Sequence, residues 1–380
     1  MGEEIAFAAE AEIGRYDPPA CSGASRELVQ SASQGGGGHY GGRRARVCRD
    51  GDGALHIEVT HRSRGVLPSV VAAIGGTPAV ALSRITAGLA GRIVAKLEYL
   101  NPGFSKKDRI ARQIIDDALA DGRLRPGQPV VELTSGNTGT GLAIVCAVRG
   151  HSFIAVMSEG NSRERVRMMR ALGAEVVLVP QAPGARSGRV TGEDLALVEA
   201  RAQELTRERN AFRADQFVNP SASRAHAATT AAELFEQTGG AIDAFVEFVG
   251  TGGTYAGVVA ELKAQRPAIR GYVVEPEGAA ILSGANVRDP QHRIQGGGYA
   301  MADLPLLHGV AIDGYLTVTD QDAIGMARRL ASEEGVFAGF SSGAVVACAA
   351  RLLASTEVGA SIAVVLADSG LKYLTTELWD

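Results

Sequence analysis

Cysteine is scarce, with four residues in a chain of 380. So few cannot staple a protein of this size, and no disulfide framework is expected. Nor is there any apolar run near the roughly 18–20 residues that a membrane-spanning helix needs. Met1-Gly-Glu-Glu lacks the basic start of a secretory signal, so a cytoplasmic location is expected. Positive charge is not in excess either: the formal net charge is -4, which leaves no basic footprint for nucleic acid. No short internal repeat is evident. What is present, 46% hydrophobic and 21% charged residues, is the balance of a globular protein with core material for two or three folding units.

Two cysteines lie in apolar runs, Cys146 in Leu142-Ala-Ile-Val-Cys-Ala-Val and Cys348 in Ala344-Val-Val-Ala-Cys-Ala-Ala, and read as small hydrophobes filling helix cores. Cys21 and Cys48 belong to residues 1–65, a stretch of different character. It holds the run Gly35-Gly-Gly-Gly-His-Tyr-Gly-Gly, expected to be flexible, and a patch of Arg43, Arg44 and Arg46 that reads as solvated surface. Within it, Ala45–Arg49 and Ala54–His61 read as two short strands around the turn Asp50-Gly-Asp-Gly.

From Val66 onward, β-branched strands alternate with amphipathic helices, the pattern of an α/β fold with largely parallel sheets. Predicted strands are Pro129–Leu133, Phe153–Met157, Glu175–Val179, Ala244–Val249 and Ile362–Leu366. The helix from Ser162 to Leu172 is expected to turn its arginines outward and Met168, Met169 and Leu172 inward.

Four segments carry chemistry. Asn101-Pro-Gly-Phe-Ser-Lys-Lys-Asp-Arg109 supplies two adjacent amines, Lys106 and Lys107, which cannot both point into one pocket. Gly250-Thr-Gly-Gly-Thr254 follows a strand and opens a helix, so its backbone N–H groups can converge on a phosphate, with Thr251 and Thr254 adding hydroxyls. Thr134-Ser-Gly-Asn-Thr-Gly139 makes a second strand-to-helix corner for an anion. Gly339-Phe-Ser-Ser-Gly-Ala344 offers two hydroxyls, Ser341 and Ser342. Ligands at the carboxyl ends of strands are the rule in open α/β sheets.

In this order the segments resemble the cysteine synthase/cystathionine β-synthase family of pyridoxal-phosphate enzymes, closest in motifs to O-acetylserine sulfhydrylase, from about Ile74 to Tyr373. The resemblance implies fold type II: two α/β lobes with pyridoxal 5'-phosphate in the cleft between them. Residues 66–104 and 221–380 would then form the large lobe, 105–220 the small mobile lobe and 1–65 an amino-terminal extension. The family's cofactor lysine immediately precedes Asp-Arg, which selects Lys107 and leaves Lys106 to face solvent. Cofactor contacts are implied for Asn137, for Gly250, Thr251, Gly252, Gly253 and Thr254 at the phosphate, and for Ser341 at the pyridine nitrogen, with Ser342 as the alternative. Thr134, Ser135, Thr138 and Gln216 are implied to hold the substrate carboxylate. His226 reads as structural, and the block Leu366–Tyr373 as a closure of the large lobe in which Asp368 and Ser369 have no catalytic role. No metal is implied. Cys48 and His61 fall where related animal enzymes carry a haem, but no ligand motif frames them.

A neutral hydroxyl at the pyridine nitrogen limits carbanion delocalisation and favours expulsion of a β-leaving group. The activity implied is β-replacement on an activated L-serine, O-acetyl-L-serine preferred, with sulfide or a thiol adding to an aminoacrylate to give L-cysteine or a related β-substituted alanine. The alternatives are a β-eliminating lyase, an amine nucleophile, or a scaffold without turnover. A homodimer is implied. Some relatives bind serine acetyltransferase, for which nothing in this chain speaks. The chain departs from the family pattern at Phe104, where glycine is usual, at Ala231-Ala-Glu-Leu and at Gln295-Gly-Gly-Gly-Tyr-Ala, and each departure bears on the second substrate.

Overall fold

The computed structural model describes residues 45–49, 55–59, 65–134, 136–184 and 190–380. Its strands, in chain order, are β1 (Ala45–Arg49), β2 (Leu55–Val59), β3 (Ala79–Ala81), β4 (Arg92–Leu97), β5 (Val130–Leu133), β6 (Phe153–Ser158), β7 (Glu175–Val179), β8 (Phe212–Arg213), β9 (Ala244–Phe248), β10 (Arg270–Pro276), β11 (Gly314–Val318) and β12 (Ser361–Leu366). The α-helices are α1 (Lys107–Ala120), α2 (Asn137–Arg149), α3 (Arg163–Ala171), α4 (Gly192–Glu208), α5 (Ser221–Ala225), α6 (Ala232–Gln237), α7 (Gly253–Gln265), α8 (Asp320–Glu334) and α9 (Phe340–Leu353).

One compact unit, residues 1–63, contains β1 and β2, paired antiparallel with Ala45 opposite Val59 and Arg49 opposite Leu55. The readings of the glycine run, Cys21, the three arginines, the Cys48 side chain and His61 lie outside what is described.

The other unit, residues 64–380, is built on two sheets. The larger has the order β11-β10-β9-β12-β4-β3 and is parallel except for β3 against β4. The smaller, β7-β6-β5-β8, is wholly parallel. Strands β5, β6, β9 and β12 are buried along their whole length, because helices cover both faces of each sheet. Alternate residues therefore feed different cores. On the large sheet Val246, Phe248, Ile362 and Val364 pack with α8 and α9, while Phe245, Ala363 and Val365 pack with α7. On the small sheet Val130, Phe153 and Ala155 face α1 and α2, while Val131, Ile154 and Val156 face α4. Cys146 and Cys348 are fully buried in these cores as free thiols.

Helix α3 corrects one expectation. Arg163, Arg167 and Arg170 are exposed and Met169 is buried, but Arg165 is also buried and lies 5.0 Å from the Tyr373 ring centroid. An arginine can be held inside where an aromatic face attracts its charge.

A buried charge cluster anchors the start of α1. Arg109 donates to Glu98 at 2.6 and 2.7 Å and to Glu233 at 2.8 Å through two nitrogens, and Lys96 pairs with Glu233 at 2.7 Å. Two cations thus face two anions, which lets all four leave water together. Glu233 belongs to the departing segment Ala231–Leu234, whose acid is retained.

Candidate active site

The segment leading into α1 is tied to the carboxyl end of β12. The Lys106 N–H donates to Ala367 O at 2.9 Å, and Ser369 N–H donates to Phe104 O at 3.1 Å. Phe104 takes a φ of 62° with its side chain exposed. A left-handed turn of this kind suits glycine and costs another residue about 1–2 kcal/mol, which accounts for the glycine usual at this position but not for the phenylalanine found here.

Lys107 is the first residue of α1, its backbone N–H 3.3 Å from Ser105 Oγ. Among the described residues its amine makes neither a hydrogen bond nor an ion pair. Burial, and then the charge of Lys106, bring that amine down to about 7, against the opposite pull of Glu247 and Glu132. Lys106 does not face solvent as expected. Its side chain is 11% exposed and forms an ion pair with Glu247 of β9, itself 3% exposed. The cation is turned inward because β9 presents a buried carboxylate to it.

The corner after β5 gathers three of the predicted residues. Thr134 Oγ1 accepts from Gly136 N–H at 3.0 Å and Gly139 N–H at 2.9 Å. Thr138 Oγ1 donates to Gln216 Oε1 at 2.5 Å, and Gln216 Nε2 donates to Leu133 O at 3.0 Å. Ser135 lies outside the described residues. Glu132, which the sequence reading passed over, orders this corner: it accepts from Asp215 N–H at 2.6 Å, Gln216 N–H at 3.4 Å and Arg213 Nη1 at 2.6 Å. Gly141 lets α2 lie against the first turn of α1. A Cβ there would stand 3.1 Å from Lys107 O and from Asp108 Cα.

Asn137 opens α2 and is held at both ends of its amide. Its Nδ2 donates to Asp368 Oδ2 at 2.7 Å, and its Oδ1 accepts from Lys372 Nζ at 2.6 Å. Lys372 also donates to Gly103 O at 2.9 Å, and Tyr373 OH to Asp368 Oδ2 at 2.7 Å. One amide N–H of Asn137 remains to be given elsewhere. Asp368, Lys372 and Tyr373 therefore position Asn137, a role the sequence signalled only through the terminal block as a whole.

Gly250–Thr254 joins β9 to α7. Gly252 sits at φ 86°, and no side chain caps the first turn of α7, whereas Thr191 and Thr319 cap α4 and α8. The N–H groups at the start of α7 thus have no side-chain cap, and the helix dipole adds positive potential there. Thr254 Oγ1 lies 3.2 Å from His226 Nε2, and His226 Nδ1 lies 2.9 Å from Thr230 Oγ1. Burial, followed by the charges of Lys106, Arg109 and Lys107, pushes the His226 pKa well below 6.5, so the ring is neutral. Wide, π-type turns over His226–Ala231 carry this histidine against the loop.

Helix α9 also starts without a side-chain cap, at Gly339. Ser341 is half-buried, and Ser342 is buried with a hydroxyl that has no partner among the described residues. A cleft of about 620 Å³ is lined by Asn161, Arg165, His292, Gln295, Tyr299 and Phe340, which places the Gln295 loop and the start of α9 on one opening.

These features fit pyridoxal phosphate. An unpaired amine of low pKa suits its aldehyde, an uncapped helix start its phosphate, and uncommitted hydroxyls its ring nitrogen. Residues 70–368 match the family model described as "Pyridoxal-phosphate dependent enzyme". A cysteine synthase of Staphylococcus aureus (strain Mu50 / ATCC 700699) is 40% identical over 308 residues, 80% of this chain and 95% of that protein. The solved structure of an O-ureido-L-serine synthase superposes with a TM-score of 0.73 at 39% identity, covering 83% of this chain and 96% of that one. O-acetyl serine sulfhydrylase isoform 3 from Entamoeba histolytica gives a TM-score of 0.76 at 35% identity, with 85% and 95% covered. The chain is thus a fold type II pyridoxal-phosphate dependent enzyme and belongs to the cysteine synthase/cystathionine β-synthase family.

Proposed function

We propose that this enzyme replaces the β-substituent of an activated L-serine, O-acetyl-L-serine preferred, with sulfide or a small thiol, yielding L-cysteine or a related β-substituted alanine. The observation that carries the reading is the amine of Lys107, without a partner among the described residues and brought to about 7, in a chain that also presents strand-to-helix corners after β5 and β9. Bound pyridoxal phosphate supplies the electron sink that makes the substrate Cα–H acidic and the β-substituent able to leave.

The rest is done by the chain. Lys107, as a free amine, takes the Cα proton, holds it while the β-substituent is exchanged, and returns it to Cα. Thr134, Thr138 and Gln216, with Ser135, hold the substrate carboxylate. The first turn of α7, with Thr251 and Thr254, holds the phosphate, Asn137 keeps the cofactor ring aligned through its remaining N–H, and Ser341 faces the pyridine nitrogen as a neutral hydroxyl. Residues 105–220, as a mobile lobe, would close on the bound carboxylate and exclude water. We expect a homodimer.

The test is product mass spectrometry on O-acetyl-L-serine with a panel of sulfide, thiols and amines. The nucleophile attached at Cβ is the expected result. Pyruvate release with no such adduct makes the enzyme a lyase and sinks the proposal. The panel matters because one relative is named for O-ureido-L-serine synthesis and others for cysteine synthesis.

Two narrower outcomes follow from the contacts. Gln216→Ala removes the partner of Thr138 and is expected to raise the KM for the amino-acid donor about 10- to 100-fold, since one hydrogen bond to a charged group is worth about 1.5–3 kcal/mol. Steady-state kinetics with varied O-acetyl-L-serine measure it. His226→Ala frees Thr254 and is expected to weaken cofactor binding about 5-fold, the effect of one neutral hydrogen bond of about 1 kcal/mol. Fluorescence titration of the cofactor-free protein with pyridoxal phosphate reads that change.

A further inference from the structure

Lys106 and Glu247 have no part in the chemistry above, yet Lys106 is only 11% exposed and Glu247 is buried. Lys106 precedes Lys107 in the chain, and Glu247 lies three residues before the phosphate loop begins at Gly250. The pair joins the lysine segment to the strand that feeds that loop. Glu247 Oε1 receives the Lys106 ammonium, while Oε2 is buried with no partner among the described residues. A carboxylate with an oxygen to spare, next to a second lysine, is a standing threat to that lysine. An ammonium–carboxylate pair at Lys107 would leave it neither a nucleophile nor a base.

We propose that Lys106 is a positioning residue that keeps Glu247 engaged, so that the neighbouring Lys107 stays an uncharged, unpaired amine. The inference rests on Lys107 being the cofactor lysine. The surrounding charges leave this task to Lys106. Glu132 on β5 is occupied by Arg213 and two backbone N–H groups. Glu98 is held by Arg109 and Thr77, and Arg109 is also taken by Glu233. Asp108 accepts from Gly103 N–H and Asp368 from Asn137 and Tyr373, each through Oδ2 with Oδ1 left without a partner among the described residues, but the carboxylates that pull on Lys107 are Glu247 and Glu132; Lys372 is held by Asn137 and Gly103. His226 is neutral. The cation of Lys106 works in the same direction through space, since a like charge disfavours protonation of Lys107.

The experiment measures covalent capture of pyridoxal phosphate by the cofactor-free full chain as a function of pH, followed by absorbance. It compares the parent, Lys106→Met, Lys106→Arg, Glu247→Gln and the Lys106→Met/Glu247→Gln double variant. Lys106→Met is expected to move the pH midpoint up by about 1 unit or more, the effect of an opposite charge within reach. Lys106→Arg and the double variant are expected to restore the parent midpoint. An unmoved midpoint in Lys106→Met overturns the proposal, as does a double variant that keeps the full shift, because Glu247 would then not be the cause. Should Lys106→Met fail to fold, Glu247→Gln decides. A lowered midpoint supports the pair, and an unmoved or raised one overturns it. Borohydride trapping of the parent separates the two claims: label on Lys106 in place of Lys107 brings down the lysine assignment itself.

Discussion

Lys107→Ala is expected to lower β-replacement turnover by about 10²–10⁴-fold, the range a positioned proton-transfer group contributes, and to abolish covalent retention of pyridoxal phosphate after borohydride reduction. Stability should barely change. The Lys107 amine has no partner among the described residues, so its removal orphans no buried group there. The combination of a large kinetic loss with a melting temperature near the parent's separates a chemical role from a structural one. Kinetics with O-acetyl-L-serine and sulfide, peptide mapping of the reduced protein and a thermal melt measure the three parts. A variant that turns over like the parent would remove Lys107 from the mechanism.

Arg109→Leu should show the opposite pattern, with stability the main loss. It strips the chief partner from two buried carboxylates, Glu98 and Glu233, and breaking such a pair costs about 3–5 kcal/mol because an uncompensated charge stays inside. The same cluster gives the protein an acid-sensitive limb. Burial pushes the Glu233 carboxyl up, but hydrogen bonds and charge from Arg109 and Lys96 override it and hold the group at about 2, below the ordinary 4.5. A carboxyl with a depressed folded-state pKa stabilises fully above its unfolded value. That contribution is therefore complete above about pH 4.5 and drains away as pH falls toward 2. In Arg109→Leu much of the limb should be gone, since the Glu233 carboxyl no longer has its strongest partner. Urea unfolding at neutral pH gives the size of the loss, and repeating it between about pH 5 and 3 gives the slope. A variant with parent stability and parent slope would show that the cluster does not carry this load.

Much of the fold was legible because its signals are local. The β-branched, largely apolar stretches at 153–157, 244–249 and 362–366 read as strands of a largely parallel sheet, and the structure has strands at 153–158, 244–248 and 361–366. The glycine-rich corners were legible for the same reason: Gly250–Thr254 follows a strand and opens a helix, and backbone geometry within a few residues determines where its N–H groups point. Helix α3 shows where that reasoning ended. Its spacing put Met169 inside correctly, but no periodicity places Arg165 against the ring of Tyr373, 208 positions further along the chain. Phe104 looked like a change in the cleft lining and is first of all a left-handed turn.

By itself the sequence determined the family, the alternation of strand and helix, and the residues at which a lysine pair and two glycine-rich strand-to-helix corners stand, since each depends on side chains and backbone adjacent in the chain. Only the tertiary structure decided which groups those residues must share space with. Lys106 meets Glu247 across 141 positions, and Asn137 is held by Asp368 and Lys372 across 231 and 235. Such pairs form when separate strands and helices pack and leave a buried charge or amide to be satisfied, a demand that exists only once water has been excluded.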